Sequence, residues 1–531
     1  MTRADGDPSR PGGSGGAESF SRLVGRLANE LYRDGFAGAA DDPGAALAAA
    51  ALDGQRAEAM RGHLPAPPPL PIGGFEVPCL TSDVSIHGGI RPGRDPAGPR
   101  FYFLDDQPPT TTGRPRTPSM FPVEDVRRDF PALHQSVNGR PLVWLDNAAT
   151  THKPQRVIDA VSDFYARDNS NVHRGAHTLA VRATEAYEGA RETVHGWVGA
   201  GSSDEIVFVR GTTEGINLVA QTYGRVNVGP GDEIVVTELE HHANIVPWQM
   251  LAAERQAVLR VAPVTDAGEV DLEAYERLLG PRTRIVALSQ ASNVLGTVLP
   301  LRLMTSLAHA HGARVLVDGA QGVPHMPVDV QEIGCDFYTF SGHKIFGPTG
   351  IGALYGRREL LEEMPPWQGG GNMIEHVTFE RTTYNGIPHK FEAGTGSLAQ
   401  AVGLAAALDY LRDIGPDAAM AHEQELLRRA TDALLAVPGL RLIGTARAKV
   451  AVLSFVLEGI SSEDVAARLA AEGIAVRAGH HCAQPTMQRF GVPGTVRASL
   501  AFYNTLDEVE ALASALHRIA PRPTGPRRWS A

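Results

Sequence analysis

Three short stretches carry residue types that can do chemistry together. "VLVDGAQG" places Asp318 directly after three apolar residues, with Gln321 one turn on. "FSGHKIFGPTG" places Lys344 between a strand-like run and a Gly/Pro loop, flanked by Ser341 and His343. "VRAGHHCAQP" places Cys482 directly after two histidines. Taken singly, each has an ordinary explanation. Asp318 reads as a helix N-cap, Lys344 as a solvated loop lysine, and Cys482 as a small core residue. Together they read differently, because the chain has four lysines in all, Lys153, Lys344, Lys390 and Lys449. A carboxylate at one strand end and a lysine at the next suit pyridoxal phosphate. Its aldehyde needs a lysine amine, and its ring nitrogen needs an anion. Its phosphate needs hydroxyls and N–H groups at a helix start, which Thr212 and Thr213 of "RGTTEG" supply.

"ELEHHANIVPW" adds His241 and His242 at another strand end. One imidazole there can stack on an aromatic cofactor. The alternative is a solvated or metal-bound pair, and His241, His242, His480, His481 and Cys482 would form a ligand set in principle. Adjacent residues rarely point the same way, and the i, i+3 or i+4 spacings of zinc sites are missing, so no metal is expected. Cys335, just before the apolar run of "GCDFYTF", reads as a buried core thiol.

These residues must be held by strands. "IVFVRGTTEG", "EIVVTELEHHAN", "RIVALSQASN", "RVLVDGAQ" and "DFYTFSGHK" are short apolar runs, each followed by polar or Gly residues, with amphipathic patterns such as Pro300 to His311 between them. That alternation predicts an α/β domain with a mostly parallel sheet covered on both faces. Ligands of such sheets bind beyond the carboxyl ends of the strands, where the polar clusters lie. From about Ala401 helical stretches predominate, followed by short strands near "VAVLSFVLEG" and "GIAVRAG", which reads as a smaller C-terminal α/β domain. We expect a small domain from 121–140 and 401–520, and a large cofactor-binding domain over 141–400.

Residues 1–120 have another texture. They lack lysine and include "LPAPPPLP" and "DDQPPTTTGRPRTPS", a composition read as a largely disordered arm. Two apolar islands interrupt it. One is the helical pattern of "FSRLVGRLANELYRDG"; the other is "RFYFLDD" with Phe101, Tyr102, Phe103 and Leu104. Such islands either recognise a partner or fold back on the protein itself. The formal charge of -11 over 531 residues argues against nucleic acid. The longest apolar candidate, from Ala45, is far short of a membrane span, and no secretory signal is apparent. Three scattered cysteines, Cys79, Cys335 and Cys482, give neither a disulfide framework nor a thiolate zinc site, so the expected compartment is cytoplasmic.

From about Phe121 to Ile519 the chain resembles the group II (SUF-type) cysteine desulfurases of the aminotransferase class V family. The resemblance is carried by "LDNAATTHKP", "NVHRGAHTL", "FVRGTTEGINLVA", "EHHANIVPWQ", "SNVLGT", "VDGAQ", "FSGHKIFGPTGIG", "PPWQGGG", "FEAGT", "RAGHHCAQP" and "VRASLAFYNT", in that order. It implies the fold-type I (aspartate aminotransferase-like) architecture of pyridoxal 5'-phosphate enzymes and a homodimer with active sites at the interface. It further implies that Lys344 bonds to the cofactor aldehyde, Asp318 pairs with the ring nitrogen, Gln321 meets the ring hydroxyl and His241 stacks on the ring. Thr213, Ser341 and His343 would hold the phosphate, helped by Thr395 of the partner subunit. Arg497, Asn293 and Arg477 would bind the substrate carboxylate, and Cys482 would be the nucleophile that takes sulfur from L-cysteine as a persulfide, leaving L-alanine. One departure stands out: after "FEAGT" the family usually has Pro, and this chain has "GSLAQ".

The arm resembles that of desulfurases carried as cargo in family 2 encapsulin nanocompartments. It implies that residues 1–120 bind a shell protein. The persulfide would pass to an unidentified sulfur-acceptor protein, to iron–sulfur assembly or to storage. Two alternatives stand beside this reading, a selenocysteine lyase or related lyase of the same family and a catalytically decayed cargo or scaffold protein. The second is disfavoured because Lys344, Asp318, Arg497 and Cys482 all stand where the chemistry needs them.

Overall fold

A computed structural model describes residues 121–173, 175 and 177–521. The expectations placed on residues 1–120, including both apolar islands and Cys79, lie outside these. The central element is a seven-stranded sheet. Its strands in chain order are β1 (Ile206–Val209), β2 (Glu233–Thr237), β3 (Val258–Ala262), β4 (Thr283–Ser289), β5 (Arg314–Asp318), β6 (Phe337–Ser341) and β7 (Gly352–Gly356). Their spatial order is β1-β7-β6-β5-β4-β2-β3. Neighbours from β3 through β6 pair in parallel, whereas β7 runs antiparallel to both β1 and β6. The five apolar runs singled out from sequence are β1, β2, β4, β5 and β6. Strand β3 lies at the sheet edge and is mostly exposed, and β7 is the Gly-flanked "GALYG", so neither carries the continuous β-branched run that marks a buried strand.

Successive strand residues feed opposite faces. Val315 and Val317 pack on one side, and Leu316 packs on the other. The first face is covered by α1 (Thr178–Val198), by α4 (Leu301–Ala310) and by α5 (Leu398–Ile414). The second is covered by α2 (Thr212–Val219) and α3 (Val246–Arg255). Burial on both faces is what makes these strands read as unbroken apolar runs rather than alternating ones.

A four-stranded antiparallel sheet follows, made of β8 (Leu440–Ile443), β9 (Val452–Leu457), β10 (Arg477–Gly479) and β11 (Thr495–Ser499), in the order β8-β9-β11-β10. Its core is built with α6 (Pro416–Leu435), α7 (Ser462–Ala471) and α8 (Leu506–Ile519). Leu145 joins this second core although it stands far upstream. The segment Val143–Trp144 pairs in parallel with Ile474–Ala475, and Asp146 bridges to Ser499. Residues 143–153 therefore pass along the four-stranded sheet before the chain enters the larger one. No helix among the described residues is long and apolar enough to cross a membrane.

Candidate active site

The parallel strands end side by side, and register fixes what their ends present. Ser289 of β4 lies opposite Asp318 of β5, and Asp318 lies opposite Thr339 of β6. Beyond these ends is a cavity of ≈ 300 Å³. Asp318, Gln321, Lys344, Ser341, His343 and Thr213 line it, and so do His241, Asn293, Arg477, Arg497 and Cys482. Eleven of the twelve residues singled out from sequence thus share one cavity. Thr395 is the exception. Within the chain it lines a second cavity of ≈ 390 Å³ with Arg210 and Glu214.

Asp318 is 5% exposed, and its Oδ1 accepts one hydrogen bond, 2.9 Å from the Ala320 N–H. Burial raises its carboxyl pKa, and the nearby Lys344 partly offsets the rise. A buried carboxylate so thinly partnered is relieved by a cation on the cavity side. Burial also lowers the Lys344 ammonium pKa, with Arg497 and Arg477 acting in the same direction against Asp318 and Cys482. The lysine is therefore biased toward its neutral, nucleophilic form. Gln321 is anchored through its Nε2, which donates to the Ala148 carbonyl at 2.7 Å.

An anion cradle sits beside them. The helix α2 begins at Thr212, whose N–H donates to Ser341 Oγ at 2.9 Å, with the two hydroxyls also 2.9 Å apart. Its cap, Gly211, has φ 154° and ψ -179°, a conformation open essentially to glycine, and a Cβ there would come within 2.9 Å of Ser341 Oγ. A helix start, three hydroxyls and a residue without a side chain suit a phosphate. Together with Asp318 and Lys344, this set fits pyridoxal phosphate.

Three of the histidines lining the cavity are held neutral. His241 Nδ1 accepts from the Ala243 N–H at 3.0 Å, and burial, aided by Lys344, pushes its pKa down to about 3. Burial takes His343 down to about 4 and His481 to about 3. His481 Nε2 sits 2.8 Å from Thr495 Oγ1, and His242 Nε2 accepts from the Gln484 N–H at 3.1 Å. His480 Nδ1 accepts from the Cys482 N–H at 3.2 Å. These ring nitrogens bind the protein's own groups, and the ligand set weighed from sequence is not drawn together. Among the described residues, His173, Glu188 and His389 bring potential metal-ligand atoms within 4.8 Å of one another, away from this cavity.

Cys482 is exposed, whereas Cys335 is buried, with a thiol pKa raised beyond the ordinary range by burial. The Cys482 loop is sharply turned, with φ 53° at His481 and 55° at Cys482. Left-handed geometry at two successive non-glycine residues costs roughly 1 kcal/mol or more each. Hydrogen bonds hold it: the His242 N–H donates to the Cys482 carbonyl at 2.8 Å, and Asn293 Nδ2 donates to the His481 carbonyl at 2.8 Å. His242 is thus a positioning residue that sequence reasoning treated only as half of a histidine pair.

The larger omission is "LDNAATTHKP". Asp146 accepts from Arg497 Nη2 at 3.1 Å and from Arg477 Nη2 at 2.8 Å. Thr150 Oγ1 and Lys153 Nζ donate to the His343 carbonyl at 3.0 and 3.2 Å, and the Phe346 N–H donates to Thr151 Oγ1 at 2.8 Å. One polar segment therefore pins the Lys344 loop at one end and both arginines at the other.

Residues 143–512 match the aminotransferase class-V family. The chain is 57% identical to the cysteine desulfurase of Synechococcus elongatus over 80% of its own length and 71% of that protein's. It is 55% identical to the probable cysteine desulfurase 1 of Mycobacterium leprae over 82% of its length and 71% of that protein's. Its structure matches the crystal structure of the cysteine desulfurase CsdA (S-sulfonic acid) from Escherichia coli with a TM-score of 0.70 at 45% identity, covering 75% of this chain and 98% of that one. The seven-stranded sheet with one antiparallel member, followed by the smaller sheet, is the fold-type I architecture of pyridoxal phosphate enzymes. With this match spanning both sheets and every residue of the cavity, the chain belongs to the aminotransferase class-V family.

Proposed function

We propose that this chain is a cysteine desulfurase of the group II type, a pyridoxal phosphate enzyme that converts L-cysteine to L-alanine and keeps the sulfur as a persulfide on Cys482. The observation that carries the reading is one cavity shared by Lys344, Asp318 and Cys482. Bound pyridoxal phosphate supplies an electron sink that loosens bonds at the substrate α-carbon. Lys344 Nζ, the amine that would hold the cofactor aldehyde, would also be the base for the substrate α-proton. Asp318 would keep a proton on the ring nitrogen, while Thr213, Ser341 and His343 would hold the phosphate. His241, neutral at working pH, would stack on the ring without competing for the positive charge. Arg497 and Arg477 bind the α-carboxylate. Cys482 Sγ would then attack the substrate sulfur: an S–S bond forms, the Cβ–S bond breaks with its electron pair left on carbon, Cβ takes up a proton, and Lys344 Nζ returns the α-proton so that alanine leaves.

The reading includes a homodimer, with Thr395 of the partner subunit completing the phosphate site, and a division into 121–140 with 401–520 against 141–400. Cys482→Ala tests the chemistry. It should keep the visible band of lysine-bound cofactor and lose persulfide formation and alanine release, and an undiminished rate would overturn the assignment. Lys344→Ala should lack the band. Alanine release from selenocysteine far exceeding that from cysteine would favour the lyase instead.

Residues 1–120 are proposed to direct the enzyme into an encapsulin shell. The support is the composition of the arm and its two apolar islands. Deleting 1–120 should abolish packaging on co-expression with a shell protein, and undiminished packaging would refute the role.

A further inference from the structure

In the four-stranded sheet, Arg477 of β10 stands directly opposite Arg497 of β11. Two like charges facing each other across an antiparallel pair repel. What holds them together is Asp146. The Leu145 N–H donates to the Ala475 carbonyl and the Ser499 N–H donates to the Leu145 carbonyl, which wedges residue 146 between the two arginine-bearing segments. Its carboxylate then receives Arg477 Nε at 3.1 Å on both oxygens, Arg477 Nη2 at 2.8 Å and Arg497 Nη2 at 3.1 Å. Arg497 Nη1 donates to the Asn293 carbonyl at 3.0 Å.

The third Arg497 nitrogen is informative. Arg497 is 2% exposed and lines the cavity, yet its Nε–H is buried with no acceptor among the described residues. An unpaired N–H on a buried cation is costly, and a ligand oxygen would remove that cost. The charge count is equally specific: two guanidinium groups and one carboxylate leave one positive charge in excess, enough for one singly charged carboxylate.

We propose that Asp146 is the positioning residue of the substrate-carboxylate site, holding the cross-strand arginines in one arrangement and setting their net charge so that they take a single α-carboxylate. This rests on the desulfurase reading for the identity of the amino acid. Asp146 acts through the arginines and touches no reacting atom.

The test is Asp146→Asn in the cofactor-loaded enzyme, compared for L-cysteine and for cysteamine, the same aminothiol without its carboxylate. Binding is read from the change in cofactor absorbance, and kcat and KM are read from alanine release. The expected result is a KM and Kd for L-cysteine raised tenfold or more, with kcat within threefold and cysteamine affinity within twofold of wild type. Asp146→Glu, which keeps the charge, should recover part of the lost affinity. If Asp146→Asn does not accumulate as folded enzyme, Asp146→Glu carries the same comparison with a smaller split. Equal weakening of both ligands marks a merely structural role and overturns the proposal, as does no change in either. Failure of the wild-type enzyme to release alanine from L-cysteine would sink the desulfurase reading, whereas the split in binding is read without turnover.

Discussion

Glu392, in "FEAGT", offers a perturbation whose size follows from its surroundings. Its Oε1 accepts from Arg191 Nη1 at 2.6 Å and from the Phe208 N–H at 2.8 Å; its Oε2 accepts from Arg191 Nη2 at 3.0 Å and from the Tyr187 hydroxyl at 3.1 Å. Both side chains of the ion pair are buried, at 2% and 5% exposure. Glu392→Ala leaves the Arg191 cation inside, with the partly exposed Glu188 and the Ile206 carbonyl as remaining partners, and strips acceptors from Phe208 and Tyr187. Removing one member of such a pair costs about 3–5 kcal/mol, most of it the penalty of the stranded charge. The assay is urea unfolding followed by fluorescence, with cofactor retention measured alongside because Thr395 lies three residues on. Glu392→Ala and Arg191→Met should each lose about 3–5 kcal/mol. The double variant Arg191→Met/Glu392→Ala should lose at least about 2 kcal/mol less than their sum, since it leaves no unpaired charge. A loss below about 1 kcal/mol for Glu392→Ala, or strict additivity, would refute the reasoning.

Two further predictions concern the histidines. His242→Phe keeps the backbone N–H to Cys482 but removes the ring acceptor for Gln484, so the turnover number should fall about tenfold with little change in KM, because the nucleophile is less well placed; a wild-type turnover number would refute a positioning role. His481, 7% exposed, has its pKa pushed down to about 3 by burial, so the unfolded chain binds its proton first as pH falls. Its contribution is fully present above about pH 6.5 and is lost as pH drops from there toward about 3, reaching about 2 kcal/mol at pH 5. Glu240 works in the opposite sense, since burial raises its carboxyl pKa to about 7. The comparison is therefore between His481→Gln and wild type, both cofactor-free: the variant should lose less stability between pH 7.5 and 5, and parallel losses would count against a neutral buried imidazole.

How much of this was legible in the sequence depended on distance along the chain. Asp318 and Lys344 each follow an apolar run, and that local pattern put them at neighbouring strand ends. Strand β3 was missed because its residues face water at the sheet edge, and β7 because its bounding glycines read as loop. Asp146 also follows an apolar run, and it lies in "LDNAATTHKP", but nothing local named its partners. Its partner Arg497 is 351 residues away, and Thr150 meets the His343 carbonyl across 193 residues. What the segment holds in place is visible only once the fold closes around it.

The distinction matters for chemistry as well as for prediction. Residues that touch a substrate must be of particular types, so Lys, Asp, Cys and Arg announce themselves. Residues that place them need only a hydrogen-bonding group at the right point, which many types supply. Arg477 and Arg497 illustrate the consequence. Sequence alone offers two arginines twenty positions apart, with nothing to say that they face each other across a ladder. Once they do, their repulsion requires a counter-charge, and the short pairing of Val143–Trp144 with Ile474–Ala475 delivers Asp146 to that point. The arginine pair is therefore a property of three distant segments, and its charge balance is set by Asp146.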